Sequence, residues 1–580
     1  MWPFSNAYPE VRVSDIQDEY DYIIVGGGTA GCVLANRLSA IPRTTVLLVE
    51  RGPLADSWAS RVPLFSSDFA SNGSRTQLRT TEHQPETGHS YELLNGSALG
   101  GSTRVNQMIY TRGLKAEYDM WKASGCPGWG WNDVKASFLK SEKCLDAGAD
   151  SDVHGTLGVC FRLTLCCFVF TKVLVRTIDA CEDIGLPKVD DVNSPTHPAI
   201  GCGLLHFTRD QNQHRHSTYR AFLPKDLALS RRQNLHIVTN AIVEKVQIEK
   251  HSDKLVARGI DLVSRSGKEM KSVAARKEII LCAGPFGSPH ILMLSGVGPA
   301  DHLKEHGIAV VKDLPAVGSN LEDHFGVSIA YRVPMAHSLV ALEKRPWIFF
   351  IELFRYLFYG TGMLLAPVLQ LAIFASTLLL DHQGLPQKGN ANVLPDIEIM
   401  PMAYDSGNST NFDKSTGVYS FLNVLLRPKS KGTVRLSSSD PNAALRIDPR
   451  YLSNPADWAP LRASLRLTLR IADGMRKHGY ALDNMQVPQG EDDESLDNFI
   501  RRRNRTAYHY SSTCRMAPKE DASGGGGVVD PQLKVFGVEG LRVADSSVFT
   551  WVLGAHLQAP TVCVAERCAE MVVEERSMKE

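Results

Sequence analysis

Gly26, Gly28 and Gly31 fall in the order GxGxxG within Gly26-Gly27-Gly28-Thr29-Ala30-Gly31, and the acid Glu50 follows about 20 residues later. Each residue type has a task if the ligand is a dinucleotide. Gly26 permits a tight turn, Gly28 lets the backbone approach a pyrophosphate, and Gly31 lets a helix pack closely on a strand. The first helical N–H groups, at Thr29 and Ala30, would offer the phosphates free donors and the positive end of the helix dipole. A carboxylate at Glu50 suits ribose hydroxyls and argues against a 2′-phosphate. A second glycine-rich run spans 96–106, where Gly100 and Gly101 again allow backbone contact with something flat or anionic. Among 18 histidines, two stand out by context: His509 in Tyr508-His509-Tyr510 and His556 in Gly554-Ala555-His556-Leu557-Gln558. A neutral imidazole has its pKa close to working pH, which suits it to accept a hydroxyl proton.

Strands and a helix must position these groups. Residues 21–25 form a short apolar run of buried-strand type, 30–38 reads as a helix, and 45–49 is a β-branched strand. With strands on both sides and an acid at the right spacing, the fingerprint predicts dinucleotide binding. FAD is favoured over NAD because the fingerprint opens a long chain and a second glycine motif follows. Further strands are expected at 235–238, 256–263, 278–282 and 541–544, the last followed by a helix at 560–571. The region 330–505 has mixed signals and a different texture.

The composition excludes several classes. Over 580 residues, 63 Lys and Arg balance 63 Asp and Glu, so no basic field invites nucleic acid. At 43% apolar and 22% charged, the chain can bury a large core. The 12 cysteines show neither a CxxC pair nor zinc spacing and read as reduced core thiols, with no metal site expected. GxSxG, GxxxxGK[ST] and HExxH are all absent. The first residues carry neither a basic stretch nor an apolar one, so a cytoplasmic or otherwise intracellular location is expected. Of the four Asn-x-Ser/Thr sites, Asn72, Asn95, Asn408 and Asn504, the second sits against the glycine motif, where a glycan would not fit. Residues 356–380 carry no charge and reach the length of a bilayer span. Gly360, Gly362 and Pro367 interrupt the run, which is expected to be a buried segment lining a pocket. No membrane span is predicted.

Several longer motifs follow one another in order. Gly96-Ser97-Ala98-Leu99-Gly100-Gly101-Ser102-Thr103-Arg104-Val105-Asn106 precedes Tyr110-Thr111-Arg112-Gly113 and Asp119-Met120-Trp121. Then come GPFGSPHILMLSGVG at 284–298, LPAVGSNLEDH at 314–324 and GLRVADSS at 540–547. Together they closely resemble the signatures of the glucose–methanol–choline (GMC) oxidoreductases, over 19–575. The resemblance implies an α/β fold, α+β overall: a Rossmann-type FAD-binding domain with an interposed substrate domain built on an antiparallel β-sheet flanked by helices. It implies an N-terminal FAD part at 19–329, with substrate-domain insertions near 59–92 and 160–230. A mainly substrate-binding part would follow at 330–505, and a C-terminal FAD part carrying both histidines at 506–580.

The resemblance also implies a reaction: oxidation of an alcohol CH–OH group to a carbonyl, with hydride passing to flavin N5 and the hydroxyl proton to His509. His556 would orient the substrate oxygen. Contacts to FAD are implied for Gly26, Gly28, Thr29, Ala30, Gly31 and Glu50, and for Gly100, Gly101, Ser102, Thr103 and Asn106. Val243, Asp545, Ser546, His556 and Leu557 complete that set. Some relatives bind FAD covalently through a histidine just before the Asn of the first signature; Val105 stands there, so non-covalent FAD is expected. A small-molecule alcohol and an acceptor, O2 or a quinone, are the implied partners, and the uncharged run hints at an apolar or aromatic alcohol. The competing readings are a lyase or cyclase of the same fold with non-redox FAD, as in a few relatives, and a flavin-binding protein whose activity has decayed. Three features depart from the family: Ser97 replaces its usual Arg or Lys, Ser512 its usual Gly, and 159–170 is unlike it, either through divergence or as a translated intron.

Overall fold

The computed structural model describes residues 7–68, 75–146, 148–164, 171–195, 200–388, 393–405, 407, 415–520 and 525–579. The apolar runs Ile23–Val25, Val46–Val49 and Ile279–Leu281 lie in a parallel sheet, where both faces are covered. Its order runs Leu235–Val238, Val46–Val49, Glu19–Val25, Met270–Leu281. Leu541–Val543 adds in parallel to the last of these, and the hairpin strands Lys254–Ser264 and Ala241–His251 extend it antiparallel. One row of partners reads Ile237, Leu48, Ile24, Ile280, Arg542. The carboxyl ends of the parallel strands therefore finish level, and Gly26, Glu50, Cys282 and Ala544 all emerge at one edge. In open α/β sheets this edge is where ligands bind.

The second sheet is antiparallel through its centre, in the order Asp483–Gln486, Phe325–Val333, Gly417–Leu425, Ile397–Met402, Leu371–Ala375, Gly201–Leu204. Side chains alternate across it, as the strand period requires. Ile397, Ile399, Tyr419 and Phe421 share a core with Leu461, Leu465 and Ile471 of the helix Trp458–Lys477. Met400, Met402, Leu422 and Val424 lie in a different core, with Met108 and Ile109. That helix turns Arg462 and Arg466 outward onto Asp497 and Asp493. This is the Rossmann-type sheet with a second, antiparallel sheet that the resemblance implied.

One expectation is corrected. The uncharged run 356–380 is not one buried segment: a helix Pro346–Tyr359 ends at Gly360 in the left-handed conformation (φ 59°), and the buried strand Leu371–Ala375 follows. Val368 and Leu369 do line the cavity described below, but Leu357 and Phe358 are exposed. Among the described residues no helix is long and apolar enough to cross a membrane. The unusual run at 159–170 contributes the strand Cys160–Thr164, paired with His206–Phe207 and Glu142–Cys144; residues 165–170 lie outside the described residues. The ten described cysteines are free thiols, and all but Cys144 are buried. Asn504 is buried and accepts from the Tyr91 hydroxyl at 2.5 Å, so the folded chain offers no glycan site there. Asn72 and Asn408 lie outside the described residues.

Candidate active site

A cavity of about 760 Å³ opens between the two sheets, lined at one end by the glycine fingerprint and at the other by His509 and His556. The fingerprint geometry leaves no room for a side chain at Gly26 or Gly31. A Cβ on Gly31 would sit 1.9 Å from the Gly26 carbonyl oxygen, and one on Gly26 (φ +103°) 2.5 Å from that of Cys282. The helix Thr29–Ser39 has Gly28 as its N-cap with no side-chain cap, so its first N–H donors are left for a ligand. Glu50 accepts the Gly27 N–H at 2.8 Å and the Gly52 N–H at 2.7 Å, and burial raises its pKa above the ordinary carboxylate value. Uncapped donors, a glycine cradle and a buried acceptor at the strand ends are the donor set of a dinucleotide site, so the residues present fit FAD.

The expected contact residues converge on this cavity. Gly26, Gly28, Thr29, Ala30, Glu50, Gly101, Ser102, Thr103 and Asn106 line it from the first part of the chain. Val243, Asp545, Ser546, His556 and Leu557 line it from elsewhere. Gly31 and Gly100 do not: Gly31 seats the helix on the turn, and Gly100 donates its N–H to the Gly27 carbonyl with φ +100°. Asp545 already holds the protein together, accepting from Gly284 N–H at 2.8 Å, the Ser288 hydroxyl at 2.6 Å and Ser547 N–H at 2.8 Å. Ser97 lines the cavity, and Ser512 is buried with φ 70°, a conformation natural to the glycine it replaces.

The two histidine rings stand perpendicular, with centroids 4.9 Å apart. Three groups that sequence reasoning did not assign to the site hold them. Asp323 accepts the His509 backbone N–H at 2.7 Å and the hydroxyls of Tyr451 and Thr506 at 2.5 Å, while burial pushes its pKa up to about 6. His324 meets His509 Nδ1 to Nδ1 at 2.8 Å. Glu398 lies 3.2 Å from His556 Nε2. Asp323 and His324 stand in the LEDH motif, but nothing in the sequence ties either to His509. Glu398 has no sequence signal beyond its place in an apolar strand.

Only one of the two facing Nδ1 atoms can carry a proton. Burial pushes the His324 pKa down to about 3, with His556 adding to the effect, and only a backbone hydrogen bond at Leu426 favours a proton on the ring. Donation from His509 Nδ1–H to His324 Nδ1 requires the His324 proton on Nε2, a buried nitrogen with no hydrogen-bond partner among the described residues. His509 Nε2 then carries the free lone pair. Burial, His556 and His324 hold the His509 pKa well below its usual value. A lowered pKa keeps the neutral base populated at lower pH. We therefore expect kcat/KM to stay level from pH 8 down through the ordinary histidine value near 6.5 and to fall only in more acidic solution. A pH profile whose acidic limb has its midpoint at or above that value would contradict this placement.

Met400, Met402, Leu422, Ile109, Leu339 and Leu369 supply an apolar part of the remaining lining, which also holds the charged residues Arg79, Glu343, Asp405 and Arg505.

Two family models described as GMC oxidoreductase match the chain, over residues 20–326 and 428–565. It is 33% identical to an alcohol dehydrogenase [acceptor] from Pseudomonas putida, across 96% of each chain. It is also 33% identical to the chloroplastic fatty acid photodecarboxylase of Chlamydomonas reinhardtii, across 96% of this chain and 90% of that one. Among solved structures, a formate oxidase superposes with a TM-score of 0.86 at 25% identity, covering 97% of this chain and 100% of that one.

Proposed function

The chain belongs to the GMC oxidoreductases, and from that premise we propose that it oxidises the CH–OH group of an alcohol to a carbonyl, with His509 taking the hydroxyl proton. The observation that carries this reading is the perpendicular histidine pair in the same cavity that the dinucleotide fingerprint lines. His509 Nε2 supplies a neutral acceptor at working pH. His556, with Nε2 engaged by Glu398, positions the substrate oxygen. The apolar part of the lining, Met400, Met402, Leu422 and Leu369 among it, favours an apolar or aromatic alcohol over a sugar. FAD, when bound, supplies the two-electron acceptor for the hydride that leaves the alcohol carbon.

The residues that would hold FAD are Gly26, Gly28, Thr29 and Ala30 at the pyrophosphate and Glu50 at the ribose. The segments carrying Gly101 to Asn106, Val243 and Asp545 to Leu557 would flank the rest. On this reading 19–329 and 506–580 make the flavin side and 330–505 most of the substrate side. Attachment is non-covalent: Val105 lines the cavity where a linking histidine would stand, and its side chain has no nucleophile. Acid precipitation is thus expected to release the yellow colour into the supernatant, and colour retained in the pellet would refute non-covalent binding. O2 or a quinone reoxidises the cofactor, and the protein works inside the cell.

A second reading keeps the fold and changes the chemistry to that of a lyase with non-redox FAD; a relative named as a fatty acid photodecarboxylase favours the lyase part of it. An anaerobic screen of aliphatic, aryl, terpenoid and sugar alcohols separates the two. Loss of the oxidised-flavin absorbance on adding an alcohol supports oxidation, whereas product without that loss supports the lyase.

A further inference from the structure

The helix Pro346–Tyr359 buries only one of its faces. Phe349, Leu353 and Tyr356 pack against Val62, Leu364 and Leu365, and Glu352 accepts the Met363 N–H at 2.6 Å. The opposite face is apolar and open to solvent: Trp347 is 60% exposed, Phe350 65%, Ile351 54%, Phe354 52%, Leu357 56% and Phe358 70%. These six positions follow the spacing i, i+3, i+4, i+7, i+10, i+11, which places them on a single stripe about 16 Å long at 1.5 Å per residue. A contiguous apolar patch of this kind marks an interaction surface. Trp347 at the first turn and Tyr359 at the last are the ring types that settle at membrane–water boundaries.

We propose that this helix docks the protein onto an anionic phospholipid bilayer, lying in the plane of the headgroups rather than crossing the membrane. Charge decides the occupant. Lys344 and Arg345 stand exposed immediately before the helix, and Arg355 flanks the stripe. Across 339–361 the one exposed acid is Glu343, since Glu352 is buried against Arg355. Lipid phosphates complement this cationic rim. A second copy would bring its own Lys344 and Arg345 against the same pair, with Glu343 as the one exposed acid per chain to offset them. The docking also has a geometric consequence. Leu64, Leu339, Leu342 and Val368, on which the buried face of the helix packs, line the cavity, so the helix stands between the cavity and the docked face. The proposal does not rest on which reaction the cavity performs.

The test is flotation of the full-length, FAD-loaded protein with vesicles of phosphatidylcholine alone or with added phosphatidylserine. The protein is expected to float with the serine-lipid vesicles. Combining Phe350→Ser, Phe354→Ser and Phe358→Ser should lower partitioning on the order of 100-fold. These sites are exposed, so FAD content and thermal stability should hold. Lys344→Gln with Arg345→Gln should cost about fivefold per charge on serine-lipid vesicles and little on phosphatidylcholine. Wild-type protein that stays at the bottom of the gradient with both vesicles would overturn the proposal. So would a dimer, seen by light scattering, that the serine variant dissociates without changing flotation.

Discussion

His509→Ala is expected to slow anaerobic flavin reduction by an alcohol about 10²- to 10⁴-fold, the usual cost of removing a general base. A base acts in the transition state, so kcat and kcat/KM should fall together. FAD content should match the parent, since the His509 side chain supports no element of the fingerprint and its backbone N–H remains available to Asp323. His556→Ala should cost less, because this ring orients rather than accepts. His556→Asn should retain more activity than His556→Ala, since the amide can still donate to the substrate oxygen. Stopped-flow absorbance of flavin-loaded variants checks all three. If both alanine variants keep FAD and react near the parent rate, the assignment of the pair is wrong.

Gly31→Ala is expected to abolish tight FAD binding. The added carbon would stand 1.9 Å from the Gly26 carbonyl oxygen, a distance at which the helix Thr29–Ser39 must move off the strand Glu19–Val25. Overpacking against the backbone costs about 1–3 kcal/mol or more, which corresponds to about 10- to 100-fold or greater loss of affinity if the whole cost falls on the site. Gly267→Ala is the control: its φ is +73°, so it carries backbone strain, but a Cβ there meets nothing within 4 Å. The ratio of flavin to protein absorbance after gel filtration should drop for Gly31→Ala and hold for Gly267→Ala. Equal flavin content in the two would show that close packing at Gly31 is not what forms the site.

These two sites also differ in how far the sequence revealed them. The fingerprint is local: its turn, helix and acid lie within one strand–helix–strand unit, so spacing alone specified their arrangement. The strands at 235–238 and 541–543 were visible for the same reason, as buried apolar runs. The support of the histidines is not local. His324 reaches His509 across 185 residues and Glu398 reaches His556 across 158, and such contacts leave no periodicity to read. The uncharged run 356–380 misled because freedom from charge does not mark element boundaries. The helix starts ten residues earlier, at Pro346, includes Glu352 and Arg355, and turns its apolar face outward rather than into a pocket.

The central claim is that an alcohol gives up a hydride from carbon in this cavity while His509 takes the proton from oxygen. It is tested most directly by anaerobic stopped-flow mixing of the flavin-loaded protein with a reactive alcohol and the same alcohol deuterated at the carbinol carbon. The account predicts that the oxidised-flavin absorbance disappears in step with carbonyl formation, one for one, and more slowly with the deuterated substrate. Conversion of the substrate while that absorbance persists, or bleaching that is indifferent to deuterium on the carbinol carbon even where chemistry limits the rate, would contradict it.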